Sequence, residues 1–150
     1  MILSGILARG RRRVKANAPS RGGRIARCLP ALAWMAGVFW LSHQTAPLGV
    51  QGNETASIVA HLALYTGLAL VLSLALVPNE HSRTAIPPWV VPAYAFALAV
   101  LYGALDEVHQ AFVAGRTASN ADLGLDAVGA AIGALATLFL STLPRRWRQG

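Results

Sequence analysis

Residues 56–77 read Ala56-Ser-Ile-Val-Ala-His-Leu-Ala-Leu-Tyr-Thr-Gly-Leu-Ala-Leu-Val-Leu-Ser-Leu-Ala-Leu-Val77, and this stretch decides the fold. It meets the ~20 residues that an α-helix needs to cross the hydrocarbon core of a bilayer. Ser57, His61 and Tyr65 recur at i, i+4 and i+8, which makes one polar stripe on an otherwise apolar helix. Three more apolar runs accompany it. The first covers residues 25–41 and holds Trp34 and Trp40. The third covers 89–112, with Pro92 in its first turn, where a proline costs least. The fourth covers 122–143 and ends before Pro144. The expected fold is all-α, a polytopic membrane protein built as a bundle of four transmembrane helices.

Bulk composition agrees. The 150 residues are 55% hydrophobic and 13% charged, against about 25% charged in soluble domains. A net charge of +7 invites a nucleic-acid reading, but its distribution argues against one. Eight of the 13 basic residues precede residue 28 and three follow residue 144. They flank the apolar core as juxtamembrane charges do. Cys28 is the single cysteine, so no intramolecular disulfide can form.

Residues 1–24, basic and without an acid, are expected to be a disordered cytoplasmic tail that touches anionic headgroups; a transit peptide is the alternative. A basic stretch before the first apolar run also resembles a secretory signal. Ser42-His43-Gln44-Thr45-Ala46 lacks small residues at both cleavage positions, so an uncleaved first span is expected. Pro47, Gly49 and Gly52 supply turn chemistry, and Thr55 is a plausible N-cap for the second helix. Residues 25–143 are thus one membrane domain, and 144–150 a short basic cytoplasmic tail.

Four spans put both termini on one side, and the positive-inside rule makes that side the cytoplasm. Arg83 then joins the inner charges, leaving Arg116 outside, while of the acids only Glu80 is inside. This orientation gathers polar groups from all four helices at one depth, in the outer leaflet. Ser42, His43 and Gln44 end helix one, and His61 lies roughly 7 Å below the start of helix two. Tyr102, Asp106 and Gln110 share one face of helix three, with Glu107 about 100° around from Asp106. Asp122 and Asp126 open helix four. Charge within a membrane is expensive, so such a cluster marks a functional site by default.

These residues resemble the VanZ-like family of small integral membrane proteins. The matching features are Ser42-His43-Gln44, His61 with Tyr65, the run from Asp106-Glu107 through Gln110-Ala-Phe112 to Gly115-Arg116, then Asp122 and Asp126-Ala-Val-Gly129. The resemblance covers roughly residues 29–141 and leaves the basic tail unmatched. It implies several membrane-spanning helices, and the family's named member is associated with teicoplanin resistance in bacteria. No settled activity comes with the name. Two positions depart from the usual pattern: His43 stands for a second small polar residue, and Asp126 for a frequent Asn.

Each candidate has a plainer reading. Asp106 and Glu107 could mark where helix three leaves the membrane, yet acids at a helix C-terminus oppose the dipole. Arg116 could neutralise one of them, or hold a phosphate or carboxylate bidentately. Ser119-x-x-Asp122 fits a capping box. His61 and Tyr65 could be an interhelical hydrogen-bond pair, and Asp126 needs a partner such as His61 or Arg116. Gly129 and Gly133, with Ala130 and Ala134 beside them, suit close helix packing. A metal is conceivable from His61, Asp106, Glu107, Asp122 and Asp126, but no established ligand spacing occurs, and neither metal nor cofactor is expected.

The leading functional reading is a pocket in the bacterial cytoplasmic membrane, facing outward, for an envelope component such as a lipid-linked cell-wall intermediate. Its lining would be Ser42, Gln44, His61, Tyr65, Asp106, Glu107, Gln110, Arg116, Asp122 and Asp126. Membrane lipids are the other expected partner; nucleic acid is not. An enzyme using Asp106, Glu107 and His61 as acid and base, a proton-coupled carrier relaying through Asp126 and His61, and a purely structural module remain alternatives.

Overall fold

A computed structural model describes residues 21–44, 53–78 and 86–143. The expected basic tails, the turn residues Pro47, Gly49 and Gly52, and Glu80, His81 and Arg83 lie outside the described residues, apart from the tail's last turn. Four helices follow in order: α1 (Arg21–Ser42), α2 (Glu54–Leu76), α3 (Val90–Gln110) and α4 (Asn120–Thr142). Each contains a segment long and apolar enough to cross a membrane, and in α1 that segment is Ile25–Ser42. The expected start at residue 25 therefore locates the apolar segment, while the helix itself begins a turn earlier.

The other boundaries shift for reasons visible in the caps. Asn53, not Thr55, caps α2: its side chain accepts the Ala56 N–H at 3.0 Å, and Thr55 is already helical. α3 stops at Gln110 rather than 112 because the chain tightens there. The Phe112 N–H bonds to the His109 carbonyl and the Val113 N–H to that of Gln110. Gly115 completes the turn at φ 79°, a left-handed conformation that favours glycine. α4 begins at Asn120, two residues earlier than expected, with Ser119 as its N-cap.

α2, α3 and α4 pack mutually, and α1 lies on α2 and the flank of α3 without reaching α4. The α2–α4 seam is the closest. A Cβ on Gly129 would lie 2.7 Å from the Leu62 carbonyl oxygen, and one on Gly133 2.5 Å from that of Thr66. Ala69 and Ala130 are fully buried alongside, and the Thr66 hydroxyl donates to the Gly129 carbonyl at 2.9 Å. Backbones brought this close gain dispersion contacts, which replace the hydrophobic effect as the driving force between helices in lipid. α1 is held by its edges: the Trp34 indole lies against Gly67 and donates to the Leu64 carbonyl at 2.9 Å. Large apolar side chains such as Trp40, Leu74, Tyr94, Leu135 and Phe139 point outward, as a lipid-facing surface requires.

Candidate functional site

The antiparallel order brings the C-terminal ends of α1 and α3 together with the N-terminal ends of α2 and α4. Three acids meet there, and each uses one oxygen. Asp106 Oδ2 lies 2.5 Å from the Ser42 hydroxyl and accepts from Gln110 Nε2 at 3.0 Å. The same hydroxyl is 3.0 Å from the Val38 carbonyl, and its single proton serves one acceptor at a time. Asp126 Oδ1 is 2.7 Å from His61 Nδ1, across the α2–α4 seam. Glu107 Oε2 accepts the backbone N–H of Ser119 at 2.7 Å.

The Glu107 contact resolves the puzzle of an acid at a helix C-terminus. Its carboxylate reaches across the turn to the N-terminus of α4, where the dipole favours negative charge. It also corrects the capping box. Ser119 Oγ accepts the Asp122 N–H at 3.3 Å as expected, but the reciprocal bond to the Ser119 N–H comes from Glu107 rather than from Asp122. Asp122 stays in the first turn of α4, near enough for its charge to act on His61, Glu107 and Asp126.

One further expectation changes and another is met. Arg116 reaches no acid among the described residues; its Nη2 donates to Gln110 Oε1 at 2.8 Å, so it steadies the amide whose other end holds Asp106. Asp126 finds His61, one of the partners expected for it, and the Tyr65 hydroxyl has no hydrogen-bond partner among the described residues. Gln44 sits half-buried at the edge, its backbone N–H bonded to the Leu41 carbonyl at 3.1 Å.

Four buried atoms thus stand without a hydrogen-bond partner among the described residues: Asp106 Oδ1, Glu107 Oε1, Asp126 Oδ2 and the Tyr65 hydroxyl. Their side chains are nearly closed off, with Tyr65 and Asp126 1% exposed, Asp106 6% and Glu107 7%. Gly103, one turn before the acids of α3, is what lets them approach. A Cβ there would lie 3.1 Å from both Asp126 Oδ2 and Tyr65 Cε1. No group of three or more His, Cys, Asp or Glu side chains among the described residues is disposed to hold a metal ion.

Sequence reasoning passed over Gly103, although its spacing of three and four from Asp106 and Glu107 puts it on their face. His109 belongs to the same end of the bundle. That ring stacks on His43 with centroids 5.6 Å apart and lies 4.5 Å from Phe39, fastening the end of α1 to α3. The Tyr102 hydroxyl, donating to the Met35 carbonyl at 2.6 Å, makes a second fastening deeper in the bundle.

A family model described as VanZ/LLP1 matches residues 27–141, a span that takes in nearly all of the four helices. No curated protein and no solved structure matches the chain.

Proposed function

The chain belongs to the VanZ/LLP1 family of membrane proteins, and we propose that its polar end is a binding pocket for the head of an amphiphilic envelope component. A lipid-linked cell-wall intermediate suits such a pocket, its tail lying in the bilayer while its head enters among Asp106, Glu107 and Asp126. The protein then sits in the bacterial cytoplasmic membrane with both termini inside and the pocket in the outer leaflet, where it can affect glycopeptide susceptibility. The observation that carries this reading is the set of four unpartnered buried atoms. A buried polar atom without a partner costs about 1–3 kcal/mol, and a bundle needing acids only for cohesion would satisfy both oxygens of each.

The test is complementation of a null strain under glycopeptide and envelope stress at matched membrane levels. Asp106→Asn, Glu107→Gln and Arg116→Ala are expected to fail like the empty vector; rescue by all three would make the cluster architectural. Orientation is tested separately with a membrane-impermeant maleimide on intact cells. Cys28 is expected to resist labelling, and Ala118→Cys, exposed in the turn before α4, to label; the reverse pattern inverts the protein.

The His61–Asp126 bond favours a second reading. An Asp that accepts from Nδ1 fixes the imidazole tautomer and leaves Nε2 as the basic nitrogen. Such a pair can move a proton in a reaction on the bound head, and turnover by the purified protein that His61→Gln abolishes would establish it.

A further inference from the structure

We infer that the group this pocket takes is a cationic hydrogen-bond donor, a primary ammonium at the polar end of an amphiphile. The inference rests on the pocket reading above and adds the chemistry of the ligand.

The three unpartnered acid atoms, Asp106 Oδ1, Glu107 Oε1 and Asp126 Oδ2, are carboxyl oxygens, which when ionised only accept. The fourth, the Tyr65 hydroxyl, can accept as well as donate. A primary ammonium brings N–H donors and no acceptor, so its chemistry suits these atoms, whereas a phosphate or carboxylate brings acceptors to acceptors. Charge points the same way. Asp126 lies within electrostatic reach of Asp106 and Glu107, and all three acids within reach of Tyr65; among the described residues His61 is the one basic side chain hydrogen-bonded to any of them. Arg116, which would favour an anion, is turned to Gln110. The remaining donors, Ser42, Gln110 and the Ser119 N–H, are neutral. Buried acids with too little positive charge are stabilised by a cation that replaces lost water.

Specificity follows from the same imbalance, because an anionic head is repelled where an ammonium is held. The amphiphile half of the inference comes from the membrane setting: the acids sit at the ends of helices long and apolar enough to span a bilayer, so a ligand whose head reaches them can keep an apolar tail in the lipid. An ammonium of this kind occurs on aminated phospholipid heads and on amine-bearing peptides of wall intermediates.

The full chain in detergent is titrated with dodecylamine, dodecanol and dodecyl phosphate, with binding read by native mass spectrometry. Dodecylamine is expected to bind at least about tenfold more tightly than either competitor, as charge-assisted bonds require. Glu107→Gln and Asp106→Asn should each weaken it about tenfold, and Tyr65→Phe, which keeps the ring, should weaken it less. Gly124→Ala, whose added methyl meets nothing within 4 Å, serves as the folding control. Displacement of dodecylamine by phosphatidylethanolamine assigns the ammonium to a lipid head, displacement by an amine-bearing wall peptide alone assigns it to a wall intermediate, and both support the inference. Equal binding of dodecanol overturns the ammonium and keeps the amphiphile pocket. Preference for the phosphate, lost in Arg116→Ala, reverses the charge assignment. If none of the three probes binds, the inference falls, and the pocket reading is then decided by complementation alone.

Discussion

Two parts of this bundle are built on opposite terms. Along the α2–α4 seam, Gly129 and Gly133 bring backbones into contact and Thr66 ties the helices together. At the polar end, one to two turns away, every buried acid among the described residues is half-satisfied: Asp106, Glu107 and Asp126 each hold one oxygen in the fold and keep the other unbonded among those residues. Cohesion accounts for the contacts of Gly129, Gly133 and Thr66. It explains only half of each acid, and the surplus is what a pocket needs.

The contrast can be broken most violently at the seam. Gly133→Leu is expected to cost about 3 kcal/mol or more, since its side chain must enter the Thr66 backbone. Reversible unfolding in detergent measures this, and a neutral result would mean the helices are not in contact there. His61→Ala comes next, at about 2 kcal/mol, because it strands the second oxygen of Asp126. Stability unchanged by that substitution would show the pair to be ligand machinery with no structural share. Ser119→Ala should cost about 1 kcal/mol as a lost N-cap. Smallest is Glu107→Gln, about 0.5 kcal/mol, because the amide oxygen still accepts the Ser119 N–H and forfeits only the charge at the helix N-terminus. That substitution sharpens the comparison: it should leave the fold nearly intact and abolish complementation.

Much of this was legible in residue order. Runs of apolar residues long enough to span, and the small-residue spacing of Gly129 and Gly133, depend on local periodicity, and the helices and their seam follow it. The gathering of Ser42, His61, Asp106 and Asp126 at one end followed from four antiparallel spans. What could not be read was the partner each acid chooses. Glu107 finds Ser119 through a turn whose path depends on the left-handed Gly115, and no periodicity encodes that turn. His61 had two plausible partners at helical or interhelical distance, and the depth to which α2 and α4 settle against each other decides for Asp126. Arg116 shows the same limit. Its charge pointed to the acids, yet the chain after α3 delivers it to Gln110. Asn53 and Thr55 are both good capping residues, and the loop geometry chose between them.

The central claim is that the polar end holds a ligand and does more than join four helices. The most direct measurement is native mass spectrometry of the protein extracted from its own membrane in a mild detergent or nanodisc, comparing wild type, Glu107→Gln and Gly124→Ala at matched stability. The account predicts a discrete amphiphile adduct on wild type and Gly124→Ala that is missing from Glu107→Gln. The same adduct at the same occupancy on all three would contradict it, and the acids of α3 and α4 would then be structural.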